Sequence, residues 1–184
     1  MLKDSLSHKR YMHSIGVSDT AACLAMRYGY DMEKARLAGL LHDCAKALGT
    51  DELIRTVREA KIETSPIEEE NPELLHAKAG SVIASKRYEV DDQEIIGAIF
   101  YHTTGRPEMT WLEKIIFLAD YIEPNRVDIP ELEKIRKQAF TEMNEAVAMC
   151  CRNSIEHLKR NSRMIDRITI DTYEYYRENS NYNE

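Results

Sequence analysis

The chain has 184 residues, 43% apolar and 31% charged, which describes one folded domain with a proper core rather than a disordered chain. Its formal net charge of −7 argues against a nucleic-acid groove, which calls for clustered Lys and Arg, but leaves room for a small phosphorylated ligand held by a local positive site or a metal. The start Met1-Leu2-Lys3-Asp4-Ser5 lacks the apolar run of a signal peptide, no apolar stretch is long enough for a bilayer, and Cys23, Cys44, Cys150 and Cys151 form no C-x-x-C pair, so a cytoplasmic protein with reduced thiols is expected.

Helical spacing runs through nearly every segment. A first helix is expected over 5–28, with Ile15, Cys23, Leu24 and neighbouring alanines inward and Gly29 as its stop. Asp31 can cap a second, which ends near Lys46 ahead of Gly49. In it Leu37, Leu40, Leu41 and Cys44 recur at helical spacing and should face the core. His42 and Asp43 sit inside that pattern, about 100° apart around the helix, so both can lean toward one cavity. Thr50 can cap a third helix with Leu53, Ile54 and Val57 as its apolar side. Residues 63–72, acidic and interrupted by Pro66 and Pro72, read as a flexible loop. A fourth helix over 74–88 carries His76 near its start, and Asp91 with Glu94 resembles a capping box for a fifth that ends near His102. The turn over 103–107 breaks the chain. Thr110 and Glu113 form a capping-box pattern for a sixth helix, with Leu112, Ile115, Ile116 and Ala119 inward, Asp120 further along, and Pro124 as its stop. Pro130 opens a short helix through Gln138, Thr141 can cap a long helix to about Lys159, and a last helix covers about 168–177 before a frayed polar tail over 180–184. Ile168-Thr169-Ile170 is the one strand-like piece. The expected class is all-α, a bundle of about eight helices whose site is built from facing helices.

Burying a carboxylate such as Asp43 costs several kcal/mol unless it is paired or bound to a metal. Nitrogen and oxygen donors side by side suit a divalent transition metal. His8 lies among Lys9 and Arg10, and His157 lies in a basic helix end, where a cation suits the macrodipole; both read as structural. The other four histidines, His13, His42, His76 and His102, fall on different helices or at their ends. With Asp43 and Asp120 they make six candidate ligands that a bundle core can bring together.

The order His13, His42-Asp43, His76, His102, Asp120 resembles the signature of the HD-domain metal-dependent phosphohydrolases. It is most similar to the bacterial symmetrical bis(5'-nucleosyl)-tetraphosphatases, the YqeK-like branch. The stretches that carry the resemblance are Arg10-Tyr11-Met12-His13-Ser14-Ile15-Gly16-Val17, Leu40-Leu41-His42-Asp43 with Lys46, and Leu75-His76-Ala77 with Gly80. The most specific is Tyr101-His102-Thr103-Thr104-Gly105-Arg106-Pro107, followed by Ala119-Asp120-Tyr121-Ile122-Glu123-Pro124. The resemblance covers 10–126 and fades across the C-terminal helices, 130–178; it implies a single HD-type domain over 1–184.

It also implies roles. His13, His42, Asp43 and Asp120 would hold the metal, for which the family suggests iron; by ligand type alone iron(II), manganese and zinc all fit. His76 and His102 match positions that bind a second metal in binuclear HD enzymes, and in this branch are expected at the phosphates. Lys46, three residues after Asp43, reads either as a phosphate contact or charge balance, or as a solvated helix-end lysine. Thr103 and Arg106 lie in a glycine turn that can hold a phosphate, and Arg126 follows Asp120 closely enough to help. Asp43, Lys46, His76 and His102 would then be catalytic. Substrate contacts would come from His13, Asp43, His76, His102, Thr103, Arg106, Asp120 and Arg126. The implied reaction is symmetrical hydrolysis of diadenosine tetraphosphate into two ADP. The implied partners are a dinucleoside polyphosphate and its ADP product, with no nucleic acid and no membrane, and a homodimer is compatible with the resemblance. Two rivals stand beside it: an HD hydrolase of another nucleotide or an alarmone, against which the His-Thr-Thr-Gly-Arg-Pro run speaks, and a non-catalytic nucleotide-sensing module, which has no need of six intact ligands.

Overall fold

The structure, a computed structural model, describes residues 2–180, and among them eleven α-helices, one 3₁₀ turn and no strand. α1 (Leu2–Ser5) precedes α2 (His8–Tyr28), which Ser7 caps by accepting from the Arg10 N–H and which Gly29 closes in the left-handed region at φ 67°. α3 (Met32–Leu41) starts at Asp31, whose carboxylate accepts from the N–H groups of Glu33 and Lys34. α4 (Thr50–Glu59), α5 (Pro66–Glu70), the 3₁₀ turn (Pro72–Leu75) and α6 (His76–Tyr88) follow. Next come α7 (Gln93–Tyr101) and α8 (Trp111–Ile122), then α9 (Leu132–Ala139), α10 (Met143–Arg160) and α11 (Arg167–Glu178). The all-α expectation holds; the count of about eight is too low because short elements such as α1 and α5 escape a long periodicity window.

Several local expectations need correction. The helix before His42 ends at Leu41 rather than near Lys46. Beyond it the N–H groups of Cys44, Lys46 and Leu48 reach back three residues, to the carbonyls of Leu41, Asp43 and Ala45, so the chain tightens into successive turns. His42 and Asp43 therefore stand at a helix end, not inside one. Leu37 is 39% exposed and Leu40 half-buried; Ala35, Ala38 and Gly39 face inward instead. Small residues are required there because α3 lies against the backbone of α2: a Cβ on Gly39 would come 2.9 Å from Ser18 Cα. Cys23 is exposed, since α2 buries the stripe Val17, Ala21, Leu24 and Ala25.

Residues 63–72 are not a featureless loop. Ser65 and Glu68 form a reciprocal capping box with Pro66 at the first helical position, and buried Glu68 takes the Lys78 ammonium at 2.7 Å. Gly49, not Thr50, is the N-cap of α4, and Asp92, not Asp91, caps α7. Thr141 donates back to the Lys137 and Gln138 carbonyls at the end of α9 instead of capping α10. The strand-like Ile168-Thr169-Ile170 is the first turn of α11. Residues 181–184 of the expected tail lie outside the described residues. The Thr110–Glu113 box is present as expected.

α8 organises the core. Leu112, Ile115, Ile116, Leu118 and Ala119 have no exposed surface, the pattern of a helix covered on all sides, and it touches α2, α3, α7, α9 and α10. Full burial of each large aliphatic side chain contributes about 1.5–3 kcal/mol, which fixes the shaft firmly. Asp120 sits in its last turn. The neighbours present histidines toward it: α2 brings His13, the end of α3 brings His42, the start of α6 brings His76 and the end of α7 brings His102. No helix among the described residues is long and apolar enough to cross a membrane.

Candidate metal centre

Three of these imidazoles are anchored in one way. Nδ1 of His42, His76 and His102 donates to the carbonyl three residues earlier, on Gly39 at 2.7 Å, Glu73 at 2.8 Å and Ile99 at 2.7 Å. The local reason is that His42 and His102 close α3 and α7, whose last carbonyls lack intrahelical partners. A carbonyl only accepts, so Nδ1 carries the proton and each neutral ring keeps its lone pair on Nε2. His13, in mid-helix, instead places Nδ1 3.1 Å from Glu123 Oε1 and Nε2 2.9 Å from Asp120 Oδ1. The rings form a chain, with centroids 5.2 Å apart from His13 to His42, 5.0 Å from His42 to His102 and 5.2 Å from His102 to His76.

The two carboxylates close the ring. His42 Nε2 lies 3.8 Å from Asp43 Oδ2 and 3.7 Å from Asp120 Oδ1, while Asp43 Oδ1 lies 3.4 Å from His76 Nε2 and 3.7 Å from His102 Nε2. Those spacings are too long for good hydrogen bonds and suit donors arranged around something between them. Burial alone pushes both carboxyl groups up, yet the surrounding imidazoles hold both below the usual carboxylate range. Burial lowers His42, and burial together with His102 and Lys46 lowers His76 to about 3, so both rings are neutral at pH 7. His13 moves the other way: burial lowers it, but Asp120 and Glu123 raise it further.

These residues fit a divalent cation on three counts. Donor atoms lie within 4.8 Å of one another in the overlapping sets His13, His42, Asp43; His42, His102, Asp120; and Asp43, His76, His102. They are imidazole nitrogens and carboxylate oxygens, the donors that iron, manganese and zinc take. Finally, His42 Nε2 is buried with no hydrogen-bond partner, an orphan acceptor that a cation satisfies.

Around the cluster stands a rim of cations. The Lys46 ammonium is 3.0 Å from His76 Nδ1 and 3.1 Å from Nε2; with Nδ1 committed to Glu73, Nε2 is the acceptor. Arg126 places Nη2 2.6 Å from Asp120 Oδ1 and donates from Nε to the Asp120 carbonyl. Arg10 Nη1 lies 3.5 Å from Asp43 Oδ2, a contact that reading the sequence did not assign, although Arg10 sits one turn before His13. Glu123 was missed as well; its signal is the spacing of three from Asp120. Arg106 is not brought to the histidines by its polar contacts: it pairs with Glu113 at 3.0 Å and caps the Tyr101 ring. Thr103 is exposed just beyond His102. The turn that carries both is clamped by α11. The Thr172 hydroxyl, which donates to the Ile168 carbonyl at 2.6 Å, also lies 3.2 Å from the Thr104 carbonyl, the Met109 N–H donates to the Tyr176 hydroxyl, and Gly105 adopts φ 62° beneath Thr172, where a Cβ would come within 2.8 Å.

Comparison with known proteins identifies the relatives of the chain. A family profile described as HD domain matches residues 10–125. A symmetrical bis(5'-nucleosyl)-tetraphosphatase of Halalkalibacterium halodurans is 43% identical over 94% of this chain and 91% of its own length. One of Bacillus subtilis is 38% identical over 95% and 92%. A crystal structure from Clostridium acetobutylicum, described as a predicted HD superfamily hydrolase involved in NAD metabolism, superposes with a TM-score of 0.93 at 41% identity and covers 97% of this chain and 94% of that one.

Proposed function

The chain belongs to the HD-domain family, and from that premise we propose that it is a metal-dependent hydrolase of dinucleoside polyphosphates that cuts diadenosine tetraphosphate symmetrically into two ADP. The observation that carries this reading is the convergence of four anchored imidazoles on two ionised carboxylates, with one buried Nε2 left without a partner. The names of the relatives that share nearly the whole chain supply the substrate class.

His13, His42, Asp43 and Asp120 are the residues assigned to the metal, with iron the first choice and manganese or zinc compatible with the same donors. A divalent ion there supplies Lewis acidity, making water nucleophilic at neutral pH and polarising a phosphoryl oxygen. Asp43 is assigned to orient the attacking water, a reading supported by its position with one oxygen toward His42 and the other toward His76 and His102. His76 and His102 are assigned to the phosphates. Each has Nδ1 committed to a carbonyl, which fixes the ring and leaves its Nε2 edge turned toward the cluster. The two rings, with the Lys46 ammonium beside His76, are assigned to hold the phosphates where charge gathers on the transferred phosphoryl group. Lys46 supplies a positive charge in the His76 corner. Arg10 and Arg126 on the rim, with exposed Thr103 beyond His102, are assigned to the phosphate path, and Arg106 joins it only by leaving Glu113.

Asp120→Ala tests the assignment. It removes a carboxylate shared by His13 and His42, so the purified variant should carry little metal, and hydrolysis should fall by roughly three orders of magnitude, the several kcal/mol that Lewis-acid catalysis supplies. Full metal content with normal turnover in that variant overturns it.

A further inference from the structure

Of the four clustered histidines, His42, His76 and His102 give Nδ1 to a main-chain carbonyl, whereas His13 gives it to a carboxylate. His13 lies within α2, where the neighbouring carbonyls serve the helix, so no main-chain acceptor is free to take its Nδ1 proton. Glu123 fills that place. Its side chain is 2% exposed and just past the end of α8; Oε1 faces His13, while Oε2 accepts from the Asn125 N–H at 2.8 Å and from Asn125 Nδ2 at 3.0 Å. Arg136 pins the same corner by donating to the carbonyls of Ile122, Glu123 and Arg126. A buried carboxylate needs its oxygens filled, and here both are. An amide could not serve equally, because it accepts at only one of its two ends.

The opposite wall is Gly16, one turn after His13 on α2. A Cβ on Gly16 would stand 2.5 Å from Glu123 Oε2 and 3.3 Å from its Cδ, so any other residue there displaces the carboxylate. Glycine weakens a helix interior, and its presence in the middle of α2 calls for such a reason.

We propose that Glu123 is a positioning residue of the metal centre, holding the His13 imidazole with Nε2 toward Asp120, and that Gly16 is glycine to make room for it. The inference rests on the assignment of His13 to the metal. A carboxylate behind an imidazole fixes the tautomer, stops the ring from turning and strengthens the nitrogen on the far side as a donor.

Cobalt(II) is the probe, because it absorbs visibly and reports the geometry of its donors. Metal-free wild type, Glu123→Gln, Gly16→Ala and His13→Ala are titrated with it, and affinity and the visible spectrum are recorded. Glu123→Gln should bind cobalt roughly 10- to 100-fold more weakly, with a shifted spectrum. Gly16→Ala should change in the same direction even though it removes no polar group and improves the helix, an effect that a merely structural role does not produce. Should Glu123→Gln prove insoluble, Gly16→Ala decides alone. Wild-type affinity and spectrum in these variants, with cobalt lost from His13→Ala, overturn the positioning role and leave the metal assignment standing. Wild-type binding by His13→Ala overturns the metal assignment itself.

Discussion

A histidine at the end of a helix serves two needs at once in this chain. His42 and His102 satisfy a last-turn carbonyl with Nδ1 and aim a lone pair at the cluster with Nε2. The two are assigned different work, because their Nε2 atoms meet different neighbours. His42 faces both carboxylates at 3.7–3.8 Å, the arrangement of a metal donor. His76 and His102 share Asp43 Oδ1, and His76 also receives the Lys46 ammonium. His42→Ala should therefore lose metal and turnover together. His76→Ala and His102→Ala should keep most of one metal per chain while turnover drops by roughly 10²–10³-fold, the usual cost of removing one group that stabilises charge in the transition state. Elemental analysis of anaerobically purified variants beside initial rates separates the cases. A full metal equivalent lost from each of the last two would mean a binuclear centre, with Asp43 bridging.

At the scale of elements, the contact of α3 with α2 sets where His42 stands. Gly39 allows the two backbones to meet, and its carbonyl is the one that holds His42. Gly39→Ala should cost roughly 1–3 kcal/mol of stability, because the atoms it strikes, Ser18 Cα and N and the Val17 carbonyl, are backbone and cannot rotate away. It should also weaken metal binding, since the anchor of the ring moves with α3. Denaturant melts with a cobalt titration check both; wild-type values in each would show that the close approach is unimportant. This contact explains what the sequence could and could not disclose. Apolar spacing made α8 and its inward face legible, and the Thr110–Glu113 box is written in side chains. The six clustered residues were legible as a motif. The end of α3 was not, because packing against α2 rather than local propensity decides which residues turn inward. Ser65, Pro66 and Glu68 did carry a readable capping signal, which the acidic, proline-containing stretch obscured. Arg10 and Glu123 have no role until the fold shows which helix ends meet.

The whole molecule is an acidic protein with a cationic rim around one acidic and imidazole-rich cluster. Against a net charge of −7, Arg10, Lys46 and Arg126 each lean on Asp43, His76 or Asp120, so charge balance is local. That pattern suits a compact polyanion better than an extended one such as a nucleic acid. A tetraphosphate bridge has three anhydride linkages, and the one that breaks is decided by which phosphorus the fixed contacts hold against the nucleophile. With His76 and Lys46 on one side and His102 on the other, the second phosphate of one ADP half is expected at the centre, which makes the other ADP half the leaving group. Hydrolysis of diadenosine tetraphosphate in oxygen-18 water, with the nucleotides separated and weighed, tests this directly. ADP is expected as the only nucleotide product, half of it carrying a single oxygen-18 on its terminal phosphate. ATP and AMP as the main products would contradict it.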